Sequence, residues 1–165
     1  MRHLFILFFV CAQTLLLGKT QPTNLKAFIV RETYAPVGVE FYQQDATLMK
    51  KWLELIAAQI HLTPTIQTVT TLSLTKEKVS SWIQKLSPND VAVFYYVGVP
   101  HYQLQDQWPS LKFAHKHQQP SLESQRTVEM LSQEQLTKMM KEKNPHLSVI
   151  LFDCYIDRIM SRRIP

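Results

Sequence analysis

The residues of this chain that are best placed to do chemistry are a histidine and a cysteine, each at the end of an apolar run. The run from Asp90 to Gly98 breaks at its glycine, with His101 just beyond it, and the run from His146 to Cys154 ends in an acid and a thiol. If both runs are parallel strands, their carboxyl ends meet at one edge of a sheet. A thiol beside an imidazole that accepts its proton is suited to nucleophilic attack on a peptide carbonyl.

A lone cysteine in an apolar run has two other common roles, as an inert core residue and as a metal ligand. Cys11 lies in the N-terminal apolar segment, so no disulfide framework is predicted, and an unreactive Cys154 would pack as a small hydrophobe. His115, His117 and Cys154 lack the paired spacing of a zinc site. The three glycines leave little room for a phosphate-binding loop. We therefore predict no metal and no cofactor.

Composition and charge narrow the class of protein. A length of 165 residues fits one domain with a single core, and 45% hydrophobic with 19% charged residues excludes intrinsic disorder. The net charge of +5 is diffuse, although Arg158, Arg162 and Arg163 cluster near the C-terminus. No Lys/Arg run is long enough to indicate a nucleic-acid partner. The excess of positive charge indicates a solvated basic face. The alternative is that the last three arginines contact anionic lipid.

The first 20 residues have the pattern of a secretory signal peptide. Arg2 gives a positive start, a mostly apolar stretch runs from Leu4 to Leu17, and Gly18 supplies a small residue before a polar segment. The apolar stretch is shorter than the roughly 20 residues that a transmembrane helix needs. We therefore expect a secreted or exported protein and exclude residues 1–20 from the fold. The alternative is an uncleaved N-terminal membrane anchor.

Apolar periodicity predicts an alternation of strands and helices, with Thr75 and Ser132 suited to cap two of the helices. This order predicts an α/β fold in which helices cover both faces of a mostly parallel sheet. We expect Phe94, Ile150 and Leu151 to be fully buried. The predicted strands are 24–30, 65–72, 91–97 and 148–152. The predicted helices are 43–60, 76–86 and the segment from the Ser132 cap to about 143. We predict a loop at 31–42 and a loop or hairpin at 101–127.

Several of these segments resemble the caspase/metacaspase family of cysteine peptidases. The run from Asp90 to Gly98 resembles that family's D-x-x-x-F-Y-Y-S-G-H-G strand, and Gln44-Asp45-Ala46 is similar to its N-D-A helix start. Trp108-Pro109 is similar to a segment of some members, and 143–154 resembles the approach to the D-x-C nucleophile. The resemblance implies a three-layer αβα caspase-like domain over 21–157 that lacks the family's C-terminal strands. Residues 158–165 are then a basic tail.

The departures from the family pattern fall on the catalytic positions. The family histidine aligns with Val99, so His101 comes two residues late, and the nucleophile aligns with Tyr155, so Cys154 comes one residue early. Asp153 matches an acid that binds a basic P1 side chain in some members. Successive strand residues point to opposite faces, so a one-residue displacement matters. A bulge at Asp153 would re-aim Cys154.

Two functional hypotheses follow from the resemblance, together with one of another class. The first is a caspase-like domain that has lost its dyad and serves as a binding or scaffold module for a protein or peptide. The second is an active cysteine endopeptidase that uses Cys154 and His101, with Pro100 turning the histidine back, and cleaves after basic residues selected by Asp153. The third is a flavodoxin-like binding domain of unrelated origin. Since the resemblance implies further strands after the nucleophile, the last predicted strand is expected to be an exposed sheet edge or to be covered by a partner chain, and truncation of a longer gene would look the same.

Overall fold

The computed structural model describes residues 21–33, 39–99, 109–113 and 130–154, and four of its strands form one sheet. Its elements in chain order are β1 (Asn24–Arg31), α1 (Val39–Gln59), β2 (Thr63–Thr70), a 3-10 turn (Thr71–Ser73), α2 (Lys76–Gln84), β3 (Asp90–Gly98), β4 (Ser110–Lys112), β5 (Met130–Ser132), α3 (Gln133–Glu142) and β6 (Leu147–Cys154).

The sheet is parallel throughout and has helices on both faces. Its strand order is β2-β1-β3-β6, and each neighbouring pair is parallel. The buried residues of α1 pack on one face of the sheet, while those of α2 and α3 pack on the other. Right-handed crossovers require this division of helices for this strand order. The predicted α/β fold with a mostly parallel sheet between two helical layers is confirmed.

β3 lies at the centre of the fold because it has a neighbouring strand on each side and helices above and below it. All of its nine residues are buried, which is the reason for its continuous apolar sequence. Phe94 is fully buried, as predicted, and its ring stacks on Phe28 and lies near Trp82 and Phe152. Both faces of this strand therefore contribute to the core.

The predicted caps form at the starts of α2 and α3. The Thr75 hydroxyl accepts a hydrogen bond from the Lys78 amide at 3.3 Å. Ser132 and Gln135 make a reciprocal capping box, in which each side chain accepts from the other residue's amide, at 3.1 and 3.0 Å. These local signals fixed the starts of both helices, and their C-terminal ends differ from the prediction by only one or two residues.

Three predicted boundaries are wrong in part. α1 begins at Val39, inside the predicted loop 31–42, because Tyr42 is buried and extends the apolar face by a turn. β2 runs two residues earlier than predicted and includes Pro64, which an edge strand tolerates. Within the predicted loop 101–127, Ser110–Lys112 is a short strand paired antiparallel with β5. The remaining residues of that loop lie outside the described part.

β6 is the edge of the sheet that the described strands form, and this changes its burial. Ile150 and Leu151, predicted to be fully buried, are only half-buried, so that prediction is wrong. None of the described strands lies on the outer side of β6, and the apolar sequence of β6 does not reveal this. Residues 1–20 and 155–165 lie outside the described part, as does the boundary predicted at 157. Among the described helices, none is long and apolar enough to cross a membrane.

Candidate functional site

The ends of β1, β3 and β6 bring the candidate residues to one edge of the sheet. Gly98 pairs with Cys154, and Val97 pairs with Asp153, so the exit of β3 lies beside the end of β6. Glu32 follows β1 directly, and its amide donates to the Val97 carbonyl at 2.9 Å. This is the carboxyl edge, where ligands of open parallel sheets bind.

Cys154 is a half-buried free thiol on the face of the sheet that α2 and α3 cover. Burial raises the pKa of this thiol to about 11, and the neighbouring Asp153 carboxylate adds to the shift. Both causes disfavour the thiolate, which is the nucleophilic form of cysteine. As placed here, Cys154 has the environment of an unreactive thiol.

Asp153 points to the opposite face, the one that α1 covers. Its side chain is exposed and accepts a hydrogen bond from the Tyr95 hydroxyl at 2.9 Å. Burial raises the pKa of Asp45 on α1, and the Asp153 carboxylate raises it further. The carboxylates of Asp45 and Asp153 therefore lie near each other, toward the N-terminal end of α1. They are on the other side of the sheet from the Cys154 thiol.

Glu32 is the centre of a buried polar network at the same edge. Its Oε1 accepts from the Thr71 hydroxyl and from the Thr33 amide, both at 2.7 Å. Its Oε2 accepts from the Tyr96 hydroxyl at 3.2 Å. The residue is only 4% exposed, so these bonds offset the cost of placing a carboxylate there. The network joins the ends of β1, β2 and β3.

Tyr96 links this network to the segment that leaves β3. Its hydroxyl lies 2.8 Å from the Val99 carbonyl as well as near Glu32. Burial raises the pKa of the Tyr96 phenol far above its ordinary value, and Glu32 and Cys154 raise it further. Gly98 has no room for a side chain, since a Cβ there would lie 2.5 Å from the Glu32 Cβ and 2.8 Å from the Tyr96 hydroxyl.

The structure describes only some of the residues that the sequence predicted for the site. Cys154 and Asp153 lie at the carboxyl edge as expected, and Val99, which is 37% exposed, comes directly after β3. The pairing of β6 with β3 is regular as far as Cys154, so the bulge considered at Asp153 does not form. His101 and Tyr155 lie outside the described residues.

Glu32 and Thr71 were not predicted to be functional. The available signal was an acid one residue after the apolar run of β1, with Arg31 between them, together with Tyr96 in a strand that is otherwise almost wholly apolar. Neither signal indicates which strands become neighbours in the sheet, and the network forms only when β1, β2 and β3 lie side by side. Within the described ranges, no group of three or more His, Cys, Asp or Glu side chains is placed to hold a metal ion.

The comparisons with known proteins add no family to this geometry. Neither a scan against protein-family models nor a search of curated proteins finds a match for this chain. The order of the four described strands is also the order found in flavodoxin-like sheets. The order of strands therefore does not distinguish a flavodoxin-like binding domain from a caspase-like domain, whether active or inactive.

Proposed function

We propose that this chain is a caspase-like domain that acts as a binding or scaffold module and not through the thiolate of Cys154. The observation that carries the proposal is the position of Cys154, half-buried on the face of the sheet that α2 and α3 cover, where burial and the adjacent Asp153 carboxylate raise the pKa of its thiol. Reactive cysteines have pKa values of about 3.5–7.5. A thiol with so high a pKa is almost wholly un-ionised at neutral pH.

The direction of the Cys154 side chain supports the same proposal. The regular register with β3 places it on the face of Ile150 and Phe152, which pack against the core of α2 and α3. Without a bulge, nothing in the described part of β6 re-aims it toward the face of Asp153. In a peptidase, Asp153 would bind a basic substrate side chain and Cys154 would attack the next bond. Here the two side chains would lie on opposite faces of the sheet.

Exposed apolar side chains support the binding role. Phe41, Leu48, Trp52 and Leu55 are each more than half exposed and lie on one side of α1. Their spacing of seven, four and three residues places them in a single stripe along the helix. Contiguous exposed apolar surface of this kind marks interaction sites in many proteins.

An active cysteine endopeptidase is the second candidate, and one observation favours it. Gly98 pairs directly with Cys154, so the segment that carries His101 leaves β3 beside the thiol, three residues before the histidine. An imidazolium next to the thiol would lower the pKa of Cys154 and reverse the effect of burial. The Asp153 carboxylate would then be available to bind a basic substrate side chain.

The pH dependence of Cys154 alkylation separates the two candidates. The full chain carrying Cys11→Ser is treated with iodoacetamide from about pH 6 to about pH 11, and modification of the peptide that contains Cys154 is followed by mass spectrometry. The proposal predicts a rate that rises about tenfold for each pH unit through neutrality, with no plateau below about pH 10.

Histidine variants supply the control. Under the proposal, His101→Ala leaves the profile unchanged. His146→Ala is the matched control, because His146 precedes β6 at the other end of the strand, where its amide donates to the Asp90 carbonyl. A plateau near neutral pH that disappears in His101→Ala but not in His146→Ala would show a working dyad and refute the proposal.

A further inference from the structure

An apolar groove lies between α1 and β6, on the face of the sheet that α1 covers. α1 lies over β1 and β2 and reaches β3, and the other two described helices pack on the opposite face. Leu147, Val149 and Leu151 of β6 point to the α1 face and are only half-buried there. The described helices therefore leave the β6 side of this face only partly covered.

The other wall of this groove is the side of α1 that carries exposed apolar residues. Asp45 on this side is near Asp153 of β6, since the Asp153 carboxylate contributes to the raised pKa of Asp45. Leu48 and Trp52 lie three and seven residues after Asp45 and therefore share its side of the helix. They are 52% and 61% exposed. Both walls of the groove are thus apolar.

Two carboxylates lie at one end of the groove. Asp45 and Asp153 are near each other at the carboxyl edge of the sheet, where the Tyr95 hydroxyl donates to Asp153 at 2.9 Å. Within the described ranges, neither carboxylate makes a salt bridge. Neighbouring like charges disfavour each other's ionised form, and a nearby cation relieves this. An occupant with both apolar side chains and positive charge would therefore suit the groove.

The chain itself supplies a segment of this composition directly after β6. Residues 155–165, YIDRIMSRRIP, lie outside the described part and begin two residues after Asp153. Five of these eleven residues are apolar and three are arginines, against a single acid. Eleven extended residues reach about 36 Å, whereas the groove from Leu147 to Asp153 is about 20 Å long. This C-terminal segment is therefore long enough to turn back and lie in the groove.

We propose that the C-terminal segment folds back over β6 and occupies the groove, with its apolar side chains against the two walls and its arginines beside the two carboxylates. Ile156, Ile159 and Met160 are three and four residues apart, a spacing that places them on one side of a helical turn. Arg158 and Arg162, four residues apart, share another side. Burial of apolar area and pairing of the carboxylates both favour this docking.

The N-terminal apolar segment suits the groove less well. It enters the fold at the opposite edge of the sheet, where the Thr23 amide donates to the Asn89 carbonyl at 3.0 Å. Among residues 1–20, the lysines and arginines are Arg2 and Lys19, which stand at the two ends of the apolar stretch. The position of the two carboxylates therefore favours the C-terminal segment.

The docked segment regulates the binding role proposed above, and in this consequence the inference rests on that role. Leu48 and Trp52 belong to the exposed stripe of α1, so a partner that binds this stripe has to displace the C-terminal segment first. The docking itself is independent of the binding role and of whether Cys154 reacts. Its test uses chains without Cys154, so either proposal can fail without the other.

Cross-linking of paired cysteines in the full chain with a short bismaleimide tests the docking. Cys11→Ser and Cys154→Ser remove the native thiols. Leu48→Cys is then combined in turn with one of three substitutions in the C-terminal segment: Ile156→Cys, Ile159→Cys or Met160→Cys. At least one combination should give a product of monomer mass in which a peptide of α1 is joined to the C-terminal peptide.

Leu72→Cys is the matched control for Leu48→Cys. Leu72 is 54% exposed, against 52% for Leu48, and it follows β2 at the edge of the sheet where β6 also ends. Three strand spacings, about 14 Å, separate β2 from β6, so an undocked segment would reach both positions. Docking predicts that the cross-link to Leu48→Cys forms at least about tenfold faster than the one to Leu72→Cys.

Removal of positive charge tests the pairing with the carboxylates. Three substitutions in the C-terminal segment should together slow the cross-link to Leu48→Cys by about threefold or more: Arg158→Gln, Arg162→Gln and Arg163→Gln. The matched control removes three charges from the end of α3, on the other face of the sheet, and should leave the rate unchanged: Lys138→Gln, Lys141→Gln and Lys143→Gln.

Four results would overturn the proposal. Equal rates for Leu48→Cys and Leu72→Cys would show an undocked segment, and the absence of product at all three C-terminal positions would show that the segment lies elsewhere. Products of twice the chain mass would show that a second copy fills the groove. In a chain that retains Cys11 and has no cysteine after β6, fast coupling of Leu48→Cys to Cys11 would show that the N-terminal segment fills it.

Discussion

Replacing Phe94 with alanine is the most direct test of the packing at the centre of this fold. The side chain is fully buried in β3, with its ring centroid 5.7 Å from that of Phe28, 6.1 Å from that of Trp82 and 6.3 Å from that of Phe152. These partners come from β1, α2 and β6, so the substitution removes one ring that three elements share. No single neighbour can close the resulting cavity by itself.

The expected cost follows from the size of the cavity and from the ring contacts. Truncation of a buried phenylalanine costs about 3–5 kcal/mol, and the value depends on how well the site collapses. Aromatic pairs contribute about 0.5–1.5 kcal/mol beyond the area they bury. With three such pairs lost, we expect the upper end, about 4–5 kcal/mol. This is a large share of the 5–15 kcal/mol that typically stabilises a domain.

Urea unfolding followed by circular dichroism measures this loss, and Phe41→Ala provides the control. Phe41 is the same residue type but is 63% exposed on α1, so its truncation should change the free energy of unfolding by less than about 0.5 kcal/mol. The midpoint for Phe94→Ala should fall without a change in the slope of the transition. A loss below about 1 kcal/mol would show that Phe94 is not in the core and would refute the assignment of β3.

Two further substitutions test the ends of the strands. Burial alone would raise the pKa of Asp90, but hydrogen bonds from Lys26 and Ser87 outweigh it and hold the pKa below 3.8. The carboxylate therefore stabilises the fold above pH 3.8, and this contribution is lost as the pH falls through its lower folded-state pKa. Asp90→Asn should cost about 3 kcal/mol at pH 7 and flatten the acid limb of stability against pH; an unchanged limb would contradict this. Gly98→Ala, whose Cβ would meet Glu32 at 2.5 Å, should cost about 1–3 kcal/mol in thermal or urea unfolding, and a neutral effect would show that the edge relaxes freely.

The parts of the fold that depend on local sequence could be predicted. The almost wholly apolar run at Val91 to Val97 indicated a strand covered on both faces, and all of β3 is buried. Ser132 followed by Gln135 indicated the start of α3, because the capping box involves only residues of one turn. The alternation of such elements was sufficient to predict a parallel sheet between helical layers.

The parts that depend on distant residues could not be predicted. Ile150 and Leu151 have the composition of a central strand, but their burial depends on whether another strand lies beside β6, which no local pattern reports. The Glu32 network likewise joins residues 39 and 64 positions apart in the chain. A carboxylate after a strand is ordinary in sequence, and it becomes part of a site only when Thr71 and Tyr96 are brought to it by the sheet.

Cys154 and His101 are shifted from the family's catalytic positions by different numbers of residues, and this limits how a dyad can form. Along an extended strand, a displacement by one residue changes the face and a displacement by two keeps it. Cys154 lies one residue before the position that aligns with the family's nucleophile, and His101 lies two residues after the position that aligns with the family's histidine. In extended segments the two side chains would therefore point to opposite faces of the sheet. β6 keeps its register with β3 up to Cys154, so it supplies no compensation. A dyad would have to be rebuilt entirely by a turn at Pro100, which makes the alkylation profile of His101→Ala the measurement that decides between a binding module and a peptidase.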